Sequence, residues 1–258
     1  MVLVRPAAVA GSFYPGDGAA LRAAVLAHLE EAAHRAGEPE EDRAVPKAII
    51  APHAGYVYSG PVAATAYAYL RAARERITRV VLFGPAHRVP VAGLAVSSAQ
   101  AFRTPLGEVP VDRPAVERLL QLPFVHVADS AHAPEHSLEV HLPFLQSLLP
   151  SFSIVPVVAG QASAEEVAEA LELLWGGPET LVVISSDLSH YEDYETARRQ
   201  DAATSRAIAE LRPEAIGYDD ACGRVPVSGL LTVARRKGLT CRIADLRNSG
   251  DTAGPRDR

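Results

Sequence analysis

The chain alternates short apolar runs with longer amphipathic ones. Apolar residues at helical spacing predict helices over 19–35, 62–74, 113–122, 137–149, 164–174, 194–210 and 227–237. Apolar, β-branched runs predict strands over 47–51, 79–83, 94–97, 154–158, 180–184 and 241–244. Asp17 stands where the first helix needs an N-cap, and Gly37 where it needs a stop. Pro143 has to sit in the first turn of its helix or kink it. Pro156 inside a strand run argues for an edge or a bulge. Strands that are apolar throughout, rather than alternating, are covered on both faces. The pattern therefore predicts an α/β fold: a single domain over 1–258, with a mostly parallel or mixed central sheet flanked by helices. The acidic run Glu38-Pro39-Glu40-Glu41-Asp42-Arg43 reads as a loop rather than a linker, and no internal repeat is visible.

Composition narrows the classes of function. Of 258 residues, 48% are hydrophobic and 22% charged, which suffices for a full core and excludes global disorder. The net charge of −6, without a basic stripe, argues against nucleic acid and anionic membranes as partners. No apolar run approaches the roughly 18 residues of a membrane span. Residues 1–13 lack the apolar core of a signal peptide. Cys222 and Cys241 then read as reduced thiols of a cytoplasmic protein.

The candidate chemistry lies where strands end. Ala51-Pro52 leads into His53, Gly84-Pro85-Ala86 into His87, and Ser185-Ser186 into Asp187 and then His190. Ligands of open α/β sheets bind beyond the carboxyl ends of the strands, so parallel strands would bring these groups to one edge. Imidazole and carboxylate suit a divalent transition metal, although a single histidine after a strand is more often a cap or a packing residue. Cys222 precedes a helix. Its helix N-terminus is expected to lower the thiol pKa and favour a soft thiolate ligand, against the alternative of a small buried hydrophobe. Cys241 reads as core. In Glu135-His136-Ser137-Leu138-Glu139-Val140-His141, the two histidines are five apart and cannot share a helix face. One can line a pocket while the other caps or packs. His28 and His34 read as solvated; His126 and His132 carry no signal.

These motifs resemble the Memo family, whose bacterial and archaeal members are known as AmmeMemoRadiSam system protein B. The resemblance rests on the Ala51–Gly60 segment, Gly84-Pro85-Ala86-His87, Glu135 to Pro143, Ser185 to Tyr191, Cys222-Gly223-Arg224 and Asn248-Ser249-Gly250-Asp251-Thr252. It implies a fold like that of class III extradiol dioxygenases, which are non-haem iron enzymes. It further implies His53, His87 and Cys222 as metal ligands, with Cys222 in the place of a carboxylate. His190 takes the acid/base position, with Asp187 beside it. His136, Glu139 and Tyr58 are read as lining the pocket. The implied cofactor is iron (Fe2+) or copper, with zinc as a further option. The implied partners are a small-molecule or peptide ligand and, by family association, radical-SAM and AMMECR-domain proteins. Family members continue beyond the position of Arg258 into a final apolar strand, so a truncated C-terminus is expected.

Three functions remain open on sequence. The first is a metal-dependent oxidoreductase. The second is a non-catalytic adaptor whose pocket, walled by Phe13, Tyr14, Tyr56, Tyr58 and Tyr191, holds a peptide or small acid. The third is thiol catalysis with Cys222 as nucleophile, His190 as base and Asp187 as orienter; it leaves His53 and His87 without a role.

Overall fold

The computed structural model describes residues 3–36 and 45–256. The expected stop at Gly37, the acidic run 38–43 and the last two residues lie outside them. The elements in chain order are β1 (Val4–Arg5), α1 (Gly18–Ala36), β2 (Ala48–Ala51), α2 (Tyr56–Ala68), β3 (Arg79–Pro85), β4 (Leu94–Val96), β5 (Ala101–Thr104) and β6 (Gly107–Pro110). They continue with α3 (Arg113–Leu119), β7 (Val125–Val127), α4 (Asp129–His132), α5 (Leu142–Leu148), β8 (Ser153–Ala159), α6 (Ala164–Leu174), β9 (Thr180–Ser185), α7 (Tyr194–Ala209) and α8 (Arg224–Arg236).

The main sheet has the order β2-β9-β3-β8-β4-β7. Its first four strands run parallel, while β4 is antiparallel to β8. The α/β class with a mixed sheet between helices is thus the one the apolar pattern predicts. The runs in β3, β8 and β9 are buried along nearly their whole length, which is why they show no alternation. A small second sheet, β1-β5-β6, ties the N-terminal segment to a hairpin. Asp17 caps α1 by accepting the Ala20 N–H at 2.8 Å. No helix among the described residues is long and apolar enough to cross a membrane.

Several expectations are corrected. β8 is an interior strand despite Pro156. The β4 ladder pairs Val157 to Ala159 and stops one residue short of the proline, so β4 makes no pairing that the missing N–H could disturb. Residues 241–244 form no strand, because no ladder partner lies beside them among the described residues. Half-buried Cys241 packs against the core from that irregular segment. The helix expected over 137–149 is irregular to Leu138, makes a 3-10 turn over Glu139–His141, and becomes helical only at Leu142, with Pro143 in the first turn. α2 begins at Tyr56 rather than 62 and carries Pro61 inside it. Strands β5, β6 and β7 are short and were masked by their mixed composition.

The registers place the site. Ala51 in β2 pairs with Ser185 in β9, and Phe83 in β3 pairs with Ile184. Three neighbouring parallel strands therefore end at one level, and His53, His87 and Asp187 follow directly from those ends.

Candidate metal centre

His53 is fully buried just beyond β2. Its Nδ1 lies 2.6 Å from Ser185 Oγ, and that hydroxyl lies 2.6 Å from the Ser137 carbonyl. A carbonyl only accepts, so the serine proton is committed to Ser137 and Ser185 must accept from His53 Nδ1–H. The tautomer follows: His53 Nε2 carries a lone pair. Burial pushes the His53 pKa down to about 4, so the ring is neutral near pH 7. Its backbone N–H is held by Asp187 Oδ1 at 2.7 Å.

His87, beyond β3, is set by the same logic. Its Nδ1 lies 2.9 Å from Glu135 Oε1, and its backbone N–H donates to Oε2 at 2.7 Å. Ser137 N donates to the same carboxylate at 2.9 Å. Burial works to raise the Glu135 pKa, but these hydrogen bonds outweigh it and hold the carboxyl at about 2. An ionised carboxylate can only accept, so His87 donates from Nδ1, and Nε2 is the ring nitrogen turned away from Glu135. Gly84 lets this loop come close, since a Cβ there would lie 2.7 Å from Ser137 Oγ. His136 stacks on His87 with ring centroids 4.6 Å apart, and burial lowers its pKa. Among the described residues its buried Nδ1 has no hydrogen-bond partner, and Glu135 Oε1 lies 3.4 Å from it. One nitrogen from each of His53, His87 and His136 lies within 4.8 Å of the others.

Cys222 Sγ lies 3.3 Å from His53 Nε2 but outside the group of three imidazoles whose nitrogens are all within 4.8 Å of one another. The Asp187 N–H donates to that sulfur at 3.3 Å, and Cys222 N donates to the Asp187 carbonyl at 3.2 Å. Gly223 makes this possible: a Cβ at that position would lie 2.5 Å from the Ser185 carbonyl oxygen. Gly223→Ala is expected to push the Cys222 loop off β9, lowering Tm by several degrees and exposing the thiol to alkylation. An unchanged Tm and alkylation rate would contradict the close packing. The expected lowering of the thiol pKa is reversed. Cys222 lies before α8 rather than in its first turn, and burial, with the Asp187 charge second, pushes the thiol up to about 12. The metal-free thiol is neutral, with His53 Nε2 at 3.3 Å and the Asp187 carbonyl oxygen at 3.6 Å as acceptors for its S–H. Binding through sulfur therefore releases a proton.

The other candidates lie elsewhere. Asp187 Oδ2 is 3.9 Å from His53 Nε2. His190 is exposed on the loop after β9, beside Tyr191, whose φ of 60° is the left-handed region. Tyr58 is exposed on α2. Tyr58, Asp187, His190 and Tyr191 share the wall of a cavity of about 1070 Å³. Glu139 is fully buried and bonded to Arg5, Tyr14 and the N–H groups of Ala8 and Val9, so it faces the N-terminal segment. His141 is buried, 3.0 Å from the Tyr67 hydroxyl. Sequence reasoning missed Ser185 and the role of Glu135. The one signal for them was position, at the last residue of β9 and next to His136.

The donor set fits a transition metal. The neutral His53 ring, nitrogens of His87 and His136 within 4.8 Å of it and a sulfur suit iron, copper or zinc, whereas magnesium and calcium require oxygen. The family described as "Memo-like protein" matches residues 5–258. The chain belongs to the Memo family. A "MEMO1 family protein" of Aquifex aeolicus is 37% identical, covering 97% of this chain and 94% of the relative. Others so described are 38% identical in Ignicoccus hospitalis, over 98% and 94%, and 36% in Thermotoga neapolitana, over 98% and 95%. In this Memo protein most of the segments that carry the resemblance build the cluster or pack beside it: β2 into His53, β3 into His87, the 135–137 segment, β9 into Asp187, and Cys222-Gly223.

Proposed function

We propose that this Memo protein is a metal-dependent oxidoreductase using iron(II) or copper, with a small molecule or peptide entering through the cavity beside Asp187. The observation that supports it is the pair of pinned tautomers. Ser185 and Glu135 accept from the Nδ1–H of His53 and His87, so Nε2 is the nitrogen each ring presents to an ion. His53, His87 and Cys222 would hold the metal, with His136 beside them. When bound, the metal supplies Lewis-acid and one-electron chemistry. Asp187 fixes the His53 backbone and the Cys222 loop through its own backbone and carboxylate. His190, on the cavity wall, is the group for moving a proton to or from a bound ligand. The same cavity supports a second reading, a binding module in which the metal is structural.

Elemental analysis of protein purified without oxygen tests the proposal. Stoichiometric iron or copper is expected, lost in His53→Ala and in Cys222→Ser. Zinc alone would keep the site and remove the redox role. Protein that neither contains a metal nor takes one up would remove both. Partner capture that survives His53→Ala would favour the binding module.

A further inference from the structure

We infer that Arg5, in β1, is a positioning residue for the metal centre, acting through the segment Glu135-His136-Ser137. The inference rests on the metal reading above and extends it to a residue outside the donor set.

Three consecutive residues control all three imidazoles. Glu135 takes the His87 Nδ1 proton, His136 contributes its own ring, and the Ser137 carbonyl fixes the Ser185 hydroxyl that orients His53. A shift of this short segment therefore moves every imidazole of the cluster together. The segment has no regular secondary structure to hold it; it lies between α4 and the turn Glu139–His141.

Arg5 supplies the missing rigidity. Its Nε donates to the His132 carbonyl at 3.1 Å and its Nη2 to the Glu135 carbonyl at 2.6 Å. Its Nη1 pairs with the Glu139 carboxylate, which also receives the Tyr14 hydroxyl and the N–H groups of Ala8 and Val9. One planar fork thus grips the segment before, within and after the Glu135–Ser137 stretch. Lysine, a point charge, cannot span three such acceptors. From the same N-terminal stretch, Phe13 packs its ring on His136 with centroids 4.7 Å apart. Arg5 is 5% exposed and Glu139 0%, so the pair is desolvated. Apolar side chains of similar volume often give as much stability as a buried ion pair, so a purely structural role does not call for this one. Geometric control of the loop does.

The test uses cobalt(II)-loaded protein, read by its visible absorption spectrum and by cobalt affinity. Arg5→Lys keeps the charge opposite Glu139 but loses the fork. The double variant Arg5→Met with Glu139→Gln removes both charges, and its amide carbonyl still accepts from the N-terminal backbone. Tyr14→Phe deletes one hydroxyl and serves if the double variant does not fold. Leu171→Ala, a core deletion in α6, controls for loss of stability. We expect a 10–100-fold loss of cobalt affinity and a shifted spectrum in the Arg5 variants, as for other outer partners of metal ligands. Tyr14→Phe should shift the spectrum in the same sense by less, and Leu171→Ala should leave spectrum and affinity unchanged. Wild-type affinity and spectrum in Arg5→Lys and the double variant would overturn the inference, as would an equal loss in Leu171→Ala. If the unaltered protein binds no cobalt, the metal reading itself fails, and the positioning role fails with it.

Discussion

Acidifying the metal-free protein from pH 7 toward pH 4 is expected to unfold it cooperatively. His53, His132 and His141 are buried and neutral, and burial is the leading cause in each case. Their pKa values fall to about 4, 4 and 3, against 6.5 for a free histidine. Below pH 6.5 the unfolded chain binds protons at these rings that the native state refuses. Stability therefore falls as pH drops through that window and levels off only near the native values. Each ring costs about 3 kcal/mol at the bottom of the window, and the three together about 10 kcal/mol. A domain of this kind is stable by about 5–15 kcal/mol, so the loss is comparable with the whole. Glu135 adds to it lower down. Its carboxyl titrates near 2 in the fold rather than 4.5, so its contribution is present above pH 4.5 and is lost as pH falls toward 2. Near- and far-ultraviolet circular dichroism across pH 7 to 3, in the presence of chelator, should show one transition between pH 6.5 and 4. A native signal retained to pH 3.5 would contradict the burial of these rings.

Replacing Glu135 with alanine is expected to have the largest effect on metal affinity of any change outside the donor set, and to lower stability as well. The carboxylate accepts from His87 N, His87 Nδ1 and Ser137 N, and among the described residues these groups have no other acceptor. Removing it frees three donors at a buried position, a loss of about 3 kcal/mol after water enters on the half-open His87 side. It also frees the His87 ring to take either tautomer, so half of the orientation of its Nε2 lone pair is lost. Metal affinity should fall about 100-fold, the upper end for an outer partner of a ligating histidine. Glu135→Gln should recover part of the stability, since one carbonyl oxygen remains, but little of the affinity. Chemical denaturation and metal titration measure the two separately. Full affinity in Glu135→Ala would show that His87 is oriented by something else.

Much of the scaffold was legible in the chain. Runs such as Val80-Val81-Leu82-Phe83 and Leu181-Val182-Val183-Ile184 announce strands covered on both faces, because nothing in them alternates. The strand-end positions of His53, His87 and Asp187 follow from the same runs. Local signals failed where pairing or packing decides. Pro156 argued for an edge, but the point where β4 stops pairing is not written near it. Residues 241–244 look like a strand and have no partner. The thiol of Cys222 was read from its helix, whereas its burial against Asp187 governs it.

The sequence by itself determined the class of fold, the family and the edge of the sheet where polar groups collect, because these depend on periodicity and on motifs contiguous in the chain. Tertiary structure alone decided that His136 joins His53 and His87, that Glu139 turns toward Arg5, and that His190 stays on the cavity wall. It also decided which ring nitrogen each histidine presents, which depends on hydroxyl and carboxylate partners 132 and 48 residues away along the chain. Hydrogen bonds are read in ångströms across the fold, and the order of residues carries no distance between segments that meet only when the sheet closes.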